Sequence, residues 1–208
     1  MKNIVRTIAI VPAMIGFLSA AALAAPAATA AAPAAAPAKG AFQRDLLGVY
    51  SDAQKKTLDL LEAIPQKKFD WRPAPGVRSV AEAFLHIAFG NYGMIKFTTG
   101  KEPPAEAGFE MNPAKWDAKT KDKAEIKKIL EASFAFVHAA VPAIPDADLD
   151  KMVNFFGHDL STRAVLIILN GHINEHLGQL VAYARANKIV PPWSKDEKAH
   201  EQAHMDKK

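Results

Sequence analysis

The chain has 208 residues, of which 26 are Lys or Arg and 22 are Asp or Glu, and its formal net charge is +4. Charges of both signs are interspersed along the sequence, so the electrostatics do not indicate a nucleic-acid-binding protein. The sequence contains no cysteine, which excludes disulfides, thiolate metal ligands and a cysteine nucleophile. Any metal must therefore be bound through nitrogen and oxygen, and the seven histidines become the residues to follow.

The N-terminal segment has the pattern of a secretory signal peptide. Two basic residues precede an uncharged apolar run over residues 8–23, and Ala22-Leu23-Ala24 offers small residues for cleavage. We therefore expect residues 1–24 to be removed and the mature protein to be periplasmic or secreted, with no membrane attachment. The alternative is an uncleaved anchor, although the run is shorter than the roughly 20 residues that span a bilayer and contains Pro12.

Composition divides the rest of the chain into three parts. Residues 25–40 are almost entirely Ala and Pro, which predicts an extended linker without a core. Residues 41–193 are long enough for one domain with a hydrophobic core. Residues 194–208 are polar and charged, and we expect them to form a solvated tail.

Within residues 41–193, helical periodicity recurs in four segments, and no convincing alternating strand pattern is present. The sequence Ser79-Val80-Ala81-Glu82 has the form of a capping box at the start of the second segment. We predict an all-α fold, a four-helix bundle, whose long connections permit crossovers. The predicted helices run from about Phe42 to Ile64, from Ser79 to Thr98, from Asp122 to Val141, and from Ser161 or Thr162 to Asn187.

The fourth predicted helix carries two histidines on one face. Because His172 and His176 are four residues apart, both imidazoles project from the same side of the helix and can reach one ion. Val165, Leu169 and Leu180 continue the same stripe, so we expect the histidines to point into the bundle. Unpartnered imidazoles are costly in an apolar core, and a bound metal would remove that cost.

His86 is the candidate third ligand. It lies in the middle of the second predicted helix, between Leu85 and Ile87. Three nitrogens from two helices would leave a coordination position open for water or substrate. Three imidazoles suit Zn, Ni, Fe or Cu, with Zn as the first expectation. The alternative for a lone histidine on an apolar face is a hydrogen-bonded core residue, and for His86 it stays open at this point.

Two other motifs offer competing interpretations. Residues 172–176 also fit the H-x-x-E-H pattern of inverted zinc peptidases, but such enzymes need a further downstream ligand and mostly polar tail follows. Glu175 remains a candidate base or hydrogen-bond partner, and otherwise it is an exposed carboxylate. His200 and His204 satisfy H-E-x-x-H, but they lie among lysines with no apolar face, which favours a solvated tail. His158 is a candidate at the mouth of the site.

Several segments together resemble the DinB-like superfamily. The resemblance implies a four-helix bundle of up-down-down-up connectivity, often dimeric, with a divalent metal held by His86, His172 and His176. Some relatives are transferases or isomerases that use bacillithiol, mycothiol or glutathione; because such thiols are chiefly cytoplasmic, the export signal argues against assigning one here. The segments that carry the resemblance are Trp71-Arg72-Pro73, Gly76-Val77-Arg78-Ser79, His86, His172 through Leu180, Tyr183, Arg185, Pro191 and Pro192.

The sequence therefore predicts an exported metal-dependent hydrolase or transferase acting on an unidentified small molecule, and expected to be a homodimer. The alternative is a non-catalytic module in which a structural ion stabilises the bundle. A solvent-connected pocket at the histidines would favour catalysis, and an occluded ion would favour the structural role. A helical protein without any metal is the third interpretation.

Overall fold

A computed structural model of the protein describes residues 40–194. The predicted signal peptide lies outside these residues, as do the predicted linker except for Gly40 and the predicted tail except for Ser194. His200 and His204 are therefore outside the described range. Among residues 40–194, none of the helices is both long enough and apolar enough to cross a membrane.

The described part of the chain is mostly helical. Its four long helices begin and end within about one residue of the predicted bounds, because apolar periodicity and capping residues mark them clearly. The helices are α1 (Ala41–Ala63), α2 (Val80–Thr99), α3 (Pro113–Asp117), α4 (Lys123–Ala140) and α5 (Thr162–Ala186), and the strands are β1 (Met152–Phe155) and β2 (His158–Ser161).

Side-chain caps fix the starts of the two helices that carry the histidines. At α2, the Ser79 hydroxyl accepts from the backbone N–H of Glu82 at 3.3 Å, and the Glu82 carboxylate accepts from the backbone N–H of Ser79 at 2.7 Å. This confirms the predicted capping box. At α5, the Ser161 hydroxyl accepts from the backbone N–H of Ala164 at 3.1 Å.

Helix α2 lies at the centre of the fold. It packs against α3, α4 and α5, and α1 packs against α4 and α5. A buried polar chain joins three of these helices: the Tyr50 hydroxyl donates to Asn91 Oδ1 at 2.6 Å, and Asn91 Nδ2 donates to Ser133 Oγ at 2.9 Å. Because each of these polar groups has a partner, the network fixes α1, α2 and α4 to one another without an unpaired group.

The expectation of no strands is wrong for residues 152–161. Strands β1 and β2 pair antiparallel, with Phe155 opposite His158, and Phe156-Gly157 forms the two-residue turn between them. Each strand has only four residues, too few for a periodic signal, and the turn lacks the Asn-Gly or Asp-Gly pair that marks most such hairpins. Helix α3 was not predicted either, because five residues are too short to show helical periodicity.

Candidate metal centre

The structure brings together the three histidines that the sequence singles out. Helix α2 contributes His86 and helix α5 contributes His172 and His176. One ring nitrogen from each lies within 4.8 Å of the others. The ring centroids are 4.5 Å apart for His172 and His176, 4.9 Å for His86 and His176, and 5.2 Å for His86 and His172. The three imidazoles are thus placed to bind one metal ion.

The orientation of His86 is set by a buried carboxylate. His86 Nδ1 lies 3.1 Å from Asp117 Oδ1. A carboxylate can only accept, so Nδ1 carries a proton, and in the neutral ring Nε2 keeps a free lone pair. The other carboxylate oxygen of Asp117 accepts from Arg78 Nε at 2.7 Å. Asp117 therefore links the guanidinium to the imidazole, in the arrangement that commonly supports metal-binding histidines.

His176 is oriented by an amide in the same way. Its Nδ1 lies 2.8 Å from Gln179 Oε1, while Gln179 Nε2 donates to the Tyr183 hydroxyl at 2.7 Å. Because the amide nitrogen is used by Tyr183, the amide oxygen faces His176, whose Nδ1 must donate. The ring of Tyr183 in turn packs edge-on against Trp71, with centroids 5.3 Å apart. Here too Nε2 is left with a free lone pair.

His172 differs from the other two because its Nδ1 is buried without a hydrogen-bond partner among the described residues. Burial lowers the pKa of His172 to about 3, and the neighbouring His176 and His86 contribute to the decrease. Burial also lowers the pKa of His176. Both imidazoles are therefore neutral near pH 7, which is the form that binds metals. An unpaired buried nitrogen costs roughly 1–3 kcal/mol, so this donor set fits a bound ion better than a packed core.

His86 and His172 form part of the wall of a cavity of about 390 Å³. Arg78 is the one charged residue among its lining residues, which are otherwise mostly apolar. His86 and His172 are only partly buried, whereas His176 is buried. The histidine cluster thus adjoins a space that a small molecule can enter.

The other candidates from the sequence lie outside this cavity wall. Glu175 is exposed on α5 and is not among the lining residues. His158 lies at the exposed start of β2, and Phe155 and Phe156 form that part of the wall instead. Trp116 of α3 is not a lining residue either: it is buried and donates its indole N–H to the carbonyl of Leu85 at 2.9 Å, which is a packing role.

Four contributors to the site were missed in the sequence. Asp117 is 31 residues from His86 on the short helix α3, and no periodicity points to it. Arg78 and Gln179 belong to the segments that carry the family resemblance, but their contacts were not foreseen. Gly90, which lines the cavity, could have been found in the sequence, because a residue four positions after His86 lies on the same face of α2.

The fold and the histidine cluster define a helical protein with the donors for a three-histidine metal site. The sequence model of the DinB superfamily matches residues 50–180. The chain belongs to the DinB superfamily. A search of the curated proteins finds no match.

Three crystal structures resemble the protein in fold. A DinB-like protein from Bacillus cereus is 21% identical, with a TM-score of 0.60 over 72% of this chain and 95% of that one. A conserved protein from Enterococcus faecalis is 16% identical, with a TM-score of 0.58 over 69% and 95%. A DinB-like protein from Bacillus subtilis is 20% identical, with a TM-score of 0.51 over 69% and 92%. At these identities the likeness concerns the fold alone.

Proposed function

We propose that this protein is an exported metal-dependent enzyme, a hydrolase or transferase of a small molecule, with a divalent ion held by His86, His172 and His176. The observation that carries the proposal is the set of hydrogen bonds around the imidazoles. Two rings have Nδ1 engaged by Asp117 or Gln179 and Nε2 free, and the third has a buried nitrogen without a partner in residues 40–194. Such partners fix the tautomer that a metal requires.

A divalent ion at this position would supply Lewis acidity at its remaining coordination position. Zn is the first expectation, with Ni, Fe and Cu as alternatives, because imidazole nitrogen suits all four. The chain's own contribution is to orient the ligands and to exclude bulk water from one side. Asp117 also fixes the orientation of the His86 ring, which favours it as a ligand.

The position of the cavity supports a catalytic role over a structural one. Structural zinc sites are closed by four protein ligands, whereas catalytic sites keep three and an open position. Within residues 40–194 the cluster contains three ligand residues, two of which line the cavity. In the alternative function, the ion would mainly join α2 to α5 and stabilise the domain.

The wider setting of the enzyme is also part of this proposal. We infer a four-helix bundle of up-down-down-up connectivity that assembles as a homodimer, supported by membership of the superfamily. Cleavage of residues 1–24 and release to the periplasm or beyond are supported by the signal pattern at the N terminus. The small-molecule substrate would reach the site through the cavity.

Elemental analysis of the purified mature chain tests the metal site directly. His200 and His204 are replaced by Ala throughout, so that the tail cannot bind metal. We expect about one ion per chain, and loss of the ion when His172 and His176 are changed to Ala. The matched control is His138→Ala, because His138 is hydrogen-bonded to Gln54 outside the cluster.

Each outcome of the metal measurement has a defined meaning. No ion in the parent protein, even after reconstitution with Zn, Ni, Fe or Cu, would refute the metal proposal. An ion that is retained tightly but supports no turnover of ester, amide or group-transfer substrates would favour the structural role. An ion together with turnover that is lost in the His172→Ala, His176→Ala variant would establish the enzyme.

A further inference from the structure

The cavity beside the histidines has a polar end. Its polar lining residues are Arg78, His86 and His172. These three are neighbours, because Asp117 bonds both Arg78 and His86, and the rings of His86 and His172 are 5.2 Å apart. The ion pair of Arg78 with Asp117 is neutral overall, but within residues 40–194 the carboxylate engages only Nε of the guanidinium. The Nη donors of Arg78 therefore remain available at this end.

The other end of the cavity is aromatic. Among the residues that line the cavity, His86 lies at the polar end and Phe97 at the aromatic end. They are 11 residues apart on α2, which corresponds to about 16 Å along the helix axis. The ring of Phe97 contacts those of Phe155 and Phe156 at centroid distances of 5.3 and 5.1 Å. The hairpin thus lines the end away from the histidines, and the lining residues extend along α2.

Gly93 lines the space between the two ends and contributes no side chain to it. A Cβ at this residue would lie 3.6 Å from Met111 Sδ, an ordinary contact, so there is room for it. Glycine inside a helix costs about 1 kcal/mol relative to alanine. A larger side chain at residue 93 would extend into the cavity, whose volume of about 390 Å³ is typical of small-molecule sites.

Phe156 is held at the aromatic end in an unfavourable backbone conformation. Its φ is 51° and that of Gly157 is 87°, the pattern of a turn that favours Asn-Gly. A bulky residue with positive φ is strained, and Phe156 is also 63% exposed. Backbone strain of this kind persists mainly where a site uses it. The side chain of this strained residue is part of the cavity wall.

We propose that this cavity binds an elongated apolar molecule ending in a carboxylate or carboxyl-derived group, with that group at Arg78 and the histidines and the apolar body reaching Phe97 and Phe156. The inference rests on the proposed function in one respect: a metal ion bound by the histidines would also attract the carboxylate at the polar end. The apolar length of the cavity is a property of the chain itself. Arg78 can only donate, so the complementary group is an oxygen acceptor.

Calorimetric titration with hexanoate, octanoate and decanoate tests the proposal on metal-free and Zn-reconstituted protein. We expect the affinity to rise about fourfold with each buried methylene until the aromatic end is reached. Octyltrimethylammonium, which has an apolar chain but a cationic end, is expected to bind about tenfold or more weakly than octanoate. Equal binding of the two octyl probes, or no dependence on chain length, would overturn the inference.

Two substitutions separate the cavity from overall folding. Gly93→Leu fills the middle of the cavity, and Phe156→Asn removes an aromatic wall while giving the turn its preferred Asn-Gly sequence. Both are expected to weaken octanoate binding by about tenfold, with Zn content unchanged and, for Phe156→Asn, thermal stability equal or higher. If octanoate binding is unchanged in both, the cavity is not the binding site.

Two neighbouring isoleucines on α5 provide the matched pair. Ile168→Gln alters the cavity wall, whereas Ile167→Gln alters an exposed residue beside it that is not a lining residue. Only the first is expected to weaken octanoate binding. Chain-length dependence in a protein that binds no metal would uphold the cavity inference and refute the proposed metal enzyme. A bound metal with no discrimination between probes would do the reverse.

Discussion

Gly90 and His172 face each other so closely that a Cβ on residue 90 would lie 2.3 Å from Cε1 of the imidazole and 2.4 Å from Nδ1. Real Cβ atoms do not approach other atoms this closely, so the ring of His172 occupies the space of the missing side chain. Gly90 lies on α2, four residues after His86. Because it has no side chain, His172 of α5 can pack directly against α2 at this point. The geometry of the site therefore depends on the missing side chain at Gly90 as well as on the three histidines.

Replacing Gly90 by Ala tests that dependence. Helix propensity alone would stabilise α2 by about 1 kcal/mol, but we expect the clash to displace His172 and to lower Zn affinity by about tenfold or more. Competition with a chromophoric chelator measures the affinity. Gly93→Ala is the matched control, because its Cβ makes only ordinary contacts. Wild-type Zn affinity in Gly90→Ala would show that His172 is not held by this contact.

Asp117→Ala removes the carboxylate that orients His86. Loss of such a partner typically lowers metal affinity by about 10- to 100-fold, and we expect a decrease in that range for this site. The chelator competition used for Gly90 applies. Asp150→Ala is the control, since Asp150 pairs with Arg163 at the surface. Equal losses in both variants would mean that the effect is general and not due to the contact with His86.

Metal removal is expected to lower thermal stability. A ligand that binds only the folded state stabilises it by RT ln(1 + [L]/Kd), about 2.7 kcal/mol when the free ligand is at 100 times Kd. Calorimetric melting with excess Zn and with excess EDTA should therefore give two different midpoints for the parent protein. The His172→Ala, His176→Ala variant should melt at the same temperature in both. If the parent protein melts at the same temperature with excess EDTA as with excess Zn, the result would count against the metal site.

Tyr50 should make the domain sensitive to alkali. Burial raises the pKa of Tyr50 well above its usual value, against the smaller opposing effect of its hydrogen bond to Asn91. Below about pH 10 the phenol is neutral in both states; above it only the unfolded chain ionises, so the free energy of unfolding falls as the pH rises, by up to about 1.4 kcal/mol per pH unit. Denaturant titrations from about pH 8 to about pH 11 would measure the slope on both sides of that transition.

The control for this experiment is Tyr50→Phe. It leaves Asn91 Oδ1 without its donor and should cost roughly 1–3 kcal/mol at neutral pH. Its alkaline slope should be smaller, and Tyr92, whose pKa burial raises to about 12, contributes to the slope that remains. An unchanged slope would show that Tyr50 ionises as readily in the folded protein as in the unfolded chain.

The long helices and the pair of His172 and His176 were predictable because their signals are local, whereas His86 was joined to that pair as a metal ligand only through the family resemblance. Residues 172 and 176 are one helical turn apart, and the capping residues at 79 and 82 mark where α2 begins. Asp117 depends on contacts distant in sequence, whereas the hairpin was missed because its strands are short and its turn lacks the usual Asn-Gly or Asp-Gly pair. Asp117 reaches His86 only after α3 has packed beside α2. No residue spacing in the segment between α2 and α4 predicts that packing.

Helix α3 has five residues, too few to be stable as an isolated helix. It is held in place by Trp116, which is buried and bonded to Leu85, and by the pairing of Asp117 with Arg78. The carboxylate behind His86 is therefore supplied by a segment that orders only by docking on the finished domain. We expect two stages in the maturation of the site: the histidines meet when α2 and α5 pack, and the ion is bound tightly only after α3 docks and Asp117 reaches His86.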